Sequence, residues 1–303
     1  MKLILAKIEV LSPSIKHFTL APVSGTLPVA GAGAHVVLEI AGPGRVWKNA
    51  YSIISAPGAA TYEIVVRRVE QSRGGSAWLH DHAQIGNVIE VQPPQNLFTP
   101  PRTARKHLLL SAGIGITPFL SYLHVPDLNY EWHHCGKAED TAAFKALLPD
   151  AAHVTLLTGR NALNLAALLA AQKLDTHLSL CGPEAFMDFA LATAEHTGWP
   201  AQKIHKESFG GATGGEPFTV HLRRSGHTIN VGADQSLLDA IEAAGLAPPC
   251  LCRGGACGEC KLPVLAGVPA HHDHYLSATE RAANDAIMIC VSRALTPELV
   301  LDF

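Results

Sequence analysis

The residues of this sequence that are best suited to chemistry are its cysteines. Four of the seven lie within eleven residues of one another, and they are Cys250, Cys252, Cys257 and Cys260. Cys290 follows these four, whereas Cys135 and Cys181 stand apart. The opening stretch MKLILAKIEVL lacks the long apolar region and the cleavage site of a signal peptide, so we expect a cytoplasmic chain. In a cytoplasmic protein, cysteines crowded in this way favour a metal or cluster site over disulfides.

The spacing of these thiols selects among the possible inorganic groups. Cys252, Cys257 and Cys260 follow the pattern C-x4-C-x2-C, and Cys290 comes thirty residues after Cys260. That is the pattern of a plant-type [2Fe–2S] ferredoxin, in which three thiolates of one loop and a fourth from elsewhere converge on two irons. The alternative is a structural zinc site, but such sites more often use paired C-x2-C spacings. Cys250 is out of register, so we interpret it as a neighbour of the ligands.

A second group of residues suits a flavin. Its members are Asn49, Tyr51, Ser52, Arg67, Arg73, Gly74, Gly75 and Ser76. Tyr51 is expected to lie on the flavin ring and Ser52 to hydrogen-bond the ring edge. Arg73 and the amides of Gly74 and Gly75 would hold the phosphate. A surface hairpin that carries a tyrosine would produce a similar pattern.

Two glycine turns suit a nucleotide. Gly113-Ile114-Gly115-Ile116-Thr117-Pro118 follows the apolar run HLLLSA and opens a helix, and Cys181-Gly182-Pro183-Glu184 ends a later strand. Turns at the carboxyl ends of parallel strands mark a crevice, and a helix amino terminus there favours a pyrophosphate. The first turn departs from the full G-x-G-x-x-G pattern, and either turn could simply cap a helix.

Three regions must position these residues. Residues 1–101 contain short Val- and Ile-rich strands such as HVVLEI and YEIVVRRV, which favour an antiparallel β-barrel that binds the flavin. Residues 102–211 alternate strands and helices, as in an α/β parallel-sheet domain that binds the nucleotide. Residues 212–303 begin within the Gly-rich linker GGATGGEP and would form an α+β ferredoxin domain. That domain begins with a hairpin at Ser225-Gly226 and a helix capped by Ser236.

Composition excludes several classes of function. The formal net charge is −3, without the basic excess of a nucleic-acid-binding protein. The hydrophobic fraction of 48% argues against disorder, and the absence of an apolar run of 18 residues argues against a membrane-spanning helix. Residues 214–303 contain six Lys and Arg against ten Asp and Glu, a charge of −4, so the acidity is concentrated in the last domain.

The order of barrel, nucleotide domain and plant-type ferredoxin resembles the phthalate dioxygenase reductase family over essentially the whole chain. Its members are reductase components of Rieske non-haem iron oxygenase systems, and vanillate O-demethylase reductases belong to the same group. The resemblance implies an NADH-dependent oxidoreductase. Electrons would pass from NADH to FMN, then to the [2Fe–2S] cluster, and from there to a separate oxygenase component.

The resemblance also carries roles to matched positions around the flavin. Tyr51 and Ser52 match the family's R-x-Y-S motif, but Asn49 stands where the family has an arginine that helps to bind the flavin phosphate. The charge partner of the phosphate would then be Arg73, Arg67 or Lys48. The segment Gly74-Gly75-Ser76 matches the family's phosphate loop and favours FMN over FAD.

Further matches concern hydride transfer. Gly113, Gly115, Thr117 and Pro118 map to the family's nucleotide turn, and Cys181-Gly182-Pro183 maps to the turn beside the nicotinamide. The resemblance assigns the hydride-transfer site to Ser52, Thr117, Cys181 and Phe209. Phe209 would lie near the flavin, although an ordinary core position would look the same. NADH over NADPH follows from the family, while Lys137 and Arg160 are the residues that could bind a 2′-phosphate.

Other functions remain compatible with these residues. An FAD-containing NADH reductase with the same ferredoxin domain could serve a hybrid-cluster protein or an epoxidase. The chain could also be a redox carrier that no longer binds NADH, or a zinc-stabilised binding protein. The histidine-rich segments at 133–134 and 271–274 are interpreted as solvated loops. In the scheme that the resemblance implies, the final substrate would bind the oxygenase component and not this chain.

Overall fold

The computed structural model describes residues 1–42, 45–69, 74–150, 152–159, 163–209 and 214–303. It divides into two compact units, Met1–Ser208 and Phe209–Phe303. The predicted boundary between residues 101 and 102 lies inside the first unit, which holds both the barrel and the parallel sheet. The predicted boundary between residues 211 and 212 lies outside the described residues.

The amino-terminal sheet is antiparallel, with the strand order β4-β3-β6-β1-β2-β5 and with β7 paired to β3. Its strands are β1 (Lys2–Ser12), β2 (Ile15–Pro22), β3 (Ala34–Gly42), β4 (Arg45–Ser52), β5 (Tyr62–Arg67), β6 (Val88–Val91) and β7 (Gln95–Asn96). A bridge between Ile53 and Ile64 joins the two edges of the sheet. A short helix, α1 (Gly75–Asp81), follows β5. The predicted antiparallel barrel is confirmed.

The second part of the first unit is a parallel sheet with the order β10-β9-β8-β11-β12. Its strands are β8 (Lys106–Ala112), β9 (Tyr130–Gly136), β10 (Val154–Thr158), β11 (Thr176–Cys181) and β12 (Ile204–Glu207). The helices are α2 (Thr117–Tyr122), α3 (Thr141–Ala146), α4 (Leu165–Ala170) and α5 (Glu184–His196). A 3-10 turn, Gly113–Ile116, leads from β8 into α2. The predicted strand–helix alternation is therefore confirmed.

The barrel and the parallel sheet share a hydrophobic core. Leu109 and Trp132 of the parallel sheet belong to the same buried cluster as Ile15 and Phe98 of the barrel region. The opposite face of the sheet packs against α4 and α5, and it includes Leu108 and Leu110 of β8 together with their partners on β11, Leu178 and Leu180. Both faces of the sheet are covered, which is why its strands are nearly continuous apolar runs.

The second unit contains a sheet with the order β14-β13-β19-β15-β17 and a two-stranded ladder. Its strands are β13 (Phe218–Leu222), β14 (His227–Val231), β15 (Lys261–Ala266), β16 (Pro269–Ala270), β17 (Ala286–Met288), β18 (Arg293–Ala294) and β19 (Glu298–Leu301). Helices α6 (Leu237–Ala243) and α7 (Ala278–Ala283) accompany the sheet. The predicted hairpin is confirmed, and Ser236 caps α6 by accepting a 2.9 Å hydrogen bond from the Asp239 amide. Among the described residues, none of the helices has the length and apolarity needed to cross a membrane.

Candidate functional site

The four cysteines in ferredoxin register form two pairs of thiols. The Sγ atoms of Cys260 and Cys290 are 3.1 Å apart, and both side chains are buried. Cys252 and Cys257 are hydrogen-bonded to each other and are half-buried. Two pairs suit two irons, with one pair for each iron. The described residues contain no group of three His, Cys, Asp or Glu side chains close enough to hold a single metal ion.

Cys250 lies outside the two pairs of thiols. The hydrogen bond from Cys257 lowers the pKa of Cys252 to about 5, even though burial acts in the opposite direction. Burial raises the pKa of Cys250 to about 12, and its side chain packs against the core of the second unit. Cys250 therefore packs against the core and belongs to neither pair, and its interpretation as a neighbour of the ligands stays a prediction. The residues present fit a [2Fe–2S] cluster.

The loop that carries Cys252, Cys257 and Cys260 is shaped by backbone conformation and by an ion pair. Gly258 has a φ of 83°, and a Cβ at this position would overlap the ring of Tyr275. Arg253 also has a positive φ, 52°, which is uncommon for a residue with a side chain. Its guanidinium binds Glu242 at 2.8 Å and Asp239 at 2.7 Å, and both carboxylates lie on α6. The loop is thereby fastened to a helix that contributes no ligand.

The flavin motif and the glycine-rich segment meet in the barrel. Trp47 and Asn49 share one face of β4, because alternate residues of a strand point the same way. A Cβ on Gly74 would overlap the indole of Trp47, and a Cβ on Gly75 would overlap Oδ1 of Asn49. Gly74 also has a φ of 131°, so a larger residue would be both strained and obstructed. The sequence analysis missed Trp47, although its i−2 spacing from Asn49 placed it on the same face.

Ser52 provides the test of whether a flavin fits. Its side chain is 4% exposed, and its Oγ has no hydrogen-bond partner among the described residues. A buried hydroxyl without a partner is unfavourable, so an additional ligand at this position would satisfy it. The residues present therefore fit a flavin whose ring edge reaches Ser52.

Two arginines were predicted to bind the flavin phosphate. Arg67 forms an ion pair with Asp140, whose side chain is buried, and Ser14 donates a 3.3 Å hydrogen bond to the same carboxylate. The charge of Arg67 is thus already neutralised by a residue 73 positions away. Arg73 lies outside the described residues. Ser76 is buried near Val69, whose amide lies 3.4 Å from its Oγ.

The two predicted nucleotide turns touch each other. A Cβ on Gly115 would overlap the carbonyl oxygen of Cys181, so the turns pack backbone against backbone. Thr117 is buried and donates a 3.0 Å hydrogen bond to the Ile114 carbonyl, while Pro118 occupies the first turn of α2. The two glycine turns therefore meet at the ends of adjacent strands, and nucleotide binding there stays a prediction.

Cys181 and Phe209 have different surroundings from each other. The Cys181 side chain is fully buried, and burial raises the pKa of its thiol well above the usual value. Cys181 therefore supplies a backbone turn rather than a reactive thiolate. Phe209 is 42% exposed, which excludes the ordinary core position, and its place beside the flavin stays a prediction. Lys137 lies 3.5 Å from Glu139, and Arg160 lies outside the described residues.

Hydrogen bonds fix the barrel to the helix that follows the first nucleotide turn. The amide of Gly33 donates a 2.8 Å bond to Ser121 Oγ, and Tyr122 Oη donates a 2.6 Å bond to the Phe98 carbonyl. Both bonds are buried. The flavin residues and the nucleotide turns are consequently held in one hydrogen-bonded frame.

Known proteins are similar to this chain in both sequence and structure. Residues 220–295 match the 2Fe-2S iron-sulfur cluster binding domain. The chain is 41% identical to the heme-dependent oxidative N-demethylase beta subunit of Ectopseudomonas mendocina, over 98% of this chain and 97% of that one. It is 37% identical to the vanillate O-demethylase oxidoreductase of a Pseudomonas strain, over 92% of each.

A solved structure extends this likeness to three dimensions. Phthalate dioxygenase reductase, described as a modular structure for electron transfer from pyridine nucleotides to [2Fe–2S], matches with a TM-score of 0.84 and 32% identity. The match covers 100% of this chain and 98% of that one. The resemblance inferred from the sequence is confirmed. The chain belongs to the phthalate dioxygenase reductase family of oxygenase reductases, which carry electrons from a pyridine nucleotide through a flavin to a [2Fe–2S] centre.

Proposed function

We propose that this protein takes electrons from NADH, passes them through FMN to its [2Fe–2S] cluster, and delivers them singly to an oxygenase component. The observation that carries the proposal is the pairing of Cys252 with Cys257 and of Cys260 with Cys290. Thiols paired in this way suit a one-electron cluster. A nucleotide donates two electrons as a hydride, whereas the cluster carries one electron at a time. A flavin is required between the two, because it exchanges electrons in pairs or singly.

In this scheme the chain's own residues bind and orient the nucleotide and the flavin. The backbone turns at Gly115 and Cys181 would hold the nucleotide, and Tyr51 and Ser52 would hold the flavin ring. None of these side chains has to act as a nucleophile, and the buried, neutral thiol of Cys181 is consistent with that. The reaction is therefore governed by distance and orientation, which the hydrogen bonds between the barrel and α2 maintain.

The choice of FMN rests on the short Gly74-Gly75-Ser76 segment. By the family resemblance this segment is a phosphate loop that favours FMN over FAD, and its first two residues lie directly against Trp47 and Asn49. Heat-released flavin from the purified protein should therefore run as FMN on chromatography. Stoichiometric FAD would reject the assignment.

The choice of NADH is tested by anaerobic titration of the purified protein. NADH should bleach both the flavin and the cluster absorption at stoichiometric amounts, and NADPH should do so far more slowly. A protein that carries both groups but is not bleached by either nucleotide would instead be a redox carrier, and the proposed reductase activity would be rejected.

The acceptor has two candidate classes. The family resemblance favours an oxygenase with a Rieske centre. A haem-dependent partner is favoured by the 41% identical relative, whose name specifies a heme-dependent N-demethylase. The two are distinguished by expressing the chain with neighbouring oxygenase genes and by following reduction of the partner optically. Haem and Rieske centres have separate absorption bands, so the band that changes identifies the acceptor.

We also propose that the protein works in the cytoplasm. Cluster thiols must remain reduced until iron and sulfide arrive, and the cytoplasm keeps them so. Fractionation of cells that express a tagged chain tests this proposal. Recovery of the tag outside the cytoplasmic fraction would contradict it.

A further inference from the structure

His35 is a buried histidine that the reductase scheme does not yet use. Its side chain is 5% exposed, and neither ring nitrogen has a hydrogen-bond partner among the described residues. A buried imidazole without partners is unfavourable, because both its donor and its acceptor have lost water. A residue of this kind needs an explanation, such as a group that binds beside it.

The position of His35 in the sheet places it next to Ser52. In the antiparallel pairing of β3 with β4, His35 lies directly opposite Ser52. Opposite residues of an antiparallel pair point to the same face, with Cβ atoms about 4.5–5.5 Å apart. Neither side chain uses the other as a hydrogen-bond partner, since both remain unsatisfied among the described residues. Two unsatisfied polar side chains therefore stand side by side.

The shared face is the outer face of the barrel. Val36 and Leu38 belong to the barrel core, so His35, which alternates with them, points away from it. The backbone just before His35 is bonded to α2, because the Gly33 amide donates to Ser121. The pair is consequently buried on the side of the barrel from which α2 and the nucleotide turn are reached.

We propose that His35 is a second flavin-contacting side chain, whose imidazole hydrogen-bonds the polar edge of the flavin ring beside Ser52. This inference rests on the proposed flavin function of the barrel. Burial lowers the pKa of His35, so its ring is neutral near pH 7 and offers one donor and one acceptor. The edge of a flavin ring carries carbonyl and ring-nitrogen acceptors together with an imide N–H donor, so it can satisfy either ring nitrogen.

The flavin ring is the same in FMN and FAD. Contact with His35 therefore concerns the ring and is independent of the length of the flavin tail. Release of FAD in place of FMN would reject the phosphate-loop assignment and leave the role of His35 open to the same test. The test below uses FMN, with FAD in parallel.

Three variants separate a flavin contact from a structural role. His35→Leu keeps similar bulk and removes both polar atoms, whereas His35→Gln restores a donor and an acceptor. His107→Leu is the matched control, because His107 is also 5% exposed and has an unpartnered Nδ1 among the described residues, but it lies on β8 of the parallel sheet. FMN is titrated into deflavinated protein, and binding is followed by quenching of flavin fluorescence.

We expect His35→Leu to raise the Kd for FMN about 2- to 12-fold, as the loss of one neutral hydrogen bond would. The visible absorption bands of the bound flavin should shift as well, which a remote structural change would not cause. His35→Gln should return the Kd to within about twofold of the wild type, because it restores one such bond. His107→Leu should leave both the Kd and the bands unchanged.

A measurement on the unaltered protein protects the test against a variant that fails to fold. In deflavinated wild-type protein labelled with 15N-histidine, addition of FMN should shift a His35 ring-nitrogen resonance, which is assigned from its absence in His35→Gln. Wild-type-like FMN binding and bands in His35→Leu, or a His35 resonance unmoved by FMN, would overturn the inference. Failure of the wild type itself to bind flavin would instead overturn the proposed function.

Discussion

The two units of this protein encode their cofactor sites in different ways. In the second unit, three of the four proposed cluster ligands lie within nine residues, from Cys252 to Cys260. In the first unit, the candidate site is assembled from β3, β4, the segment before α1 and the ends of β8 and β11. A site built by one loop is visible in residue spacing, whereas a site built by many strands becomes visible only when the strands are paired.

The two sites also differ in the backbone conformations and the side-chain contacts that form them. The cluster loop uses unusual backbone, with positive φ at Arg253 and Gly258, and two ion pairs from Arg253 to α6. The flavin site uses regular strands and leaves polar side chains, Ser52 and His35, buried without partners among the described residues. We therefore expect the loss of one cysteine ligand to abolish the cluster. Single changes at the flavin site should have smaller, graded effects on flavin binding.

The largest expected effect comes from the cluster thiols. Cys257→Ser or Cys290→Ser should each abolish the [2Fe–2S] absorption and electron paramagnetic resonance signals, because iron–sulfur clusters require thiolate ligands. NADH should still bleach the flavin, since hydride transfer takes place in the first unit. Cys250→Ser is the control and should keep the full cluster signal. Loss of the cluster in Cys250→Ser with retention in Cys252→Ser would reverse the ligand assignment.

A smaller effect is expected where the two nucleotide turns touch. Gly115→Val would place side-chain atoms against the Cys181 carbonyl, and overpacking of this kind typically costs about 1–3 kcal/mol. The corresponding change in kcat/KM for NADH is about 5- to 150-fold. Gly136→Ala is the control, because its Cβ would lie 3.4 Å from the Phe144 ring. Equal losses in both variants would show that the contact with Cys181 is not special.

Salt should affect the two units unequally. Residues 214–303 carry −4 from side chains, and an oxidised cluster with four thiolates adds about −2. Electrostatic steering of a basic partner weakens as the Debye length falls from about 10 Å at 0.1 M salt to about 3 Å at 1 M. In stopped-flow measurements, electron transfer to the oxygenase should be severalfold slower at 1 M than at 0.1 M salt. The rate of flavin reduction by NADH should change little over the same range. Equal sensitivity of the two steps would rule out acidic docking.

The smallest effect is expected at Asn49. An arginine there would restore a charged hydrogen bond to the phosphate, worth about 1.5–3 kcal/mol. It must also displace the contact of Asn49 with Gly75, at a cost of about 1–3 kcal/mol. These contributions nearly cancel, so the Kd of Asn49→Arg for FMN should stay within about tenfold of the wild type. Complete loss of flavin would mean that the Asn49 contact with Gly75 is indispensable.

Local features of the fold were predictable from the sequence. The Ser236 cap and the hairpin at Ser225-Gly226 each depend on residues that are close in the chain, and both are confirmed. The pairing of Arg67 with Asp140 was not predictable, because the two residues are 73 positions apart and meet only when β5 approaches the start of α3. His35 was hidden in the apolar run HVVLEI for the same reason, since its neighbour Ser52 is on another strand.

The ion pair of Arg253 has a consequence for the assembly of the protein. Because its guanidinium binds Asp239 and Glu242, we expect the loop to take its left-handed turn when α6 packs, before iron arrives. The conformational entropy of the loop is then lost during folding and not during the insertion of iron and sulfide. Arg253→Gln should therefore lower the rate of cluster reconstitution in the apoprotein without changing which residues are the ligands.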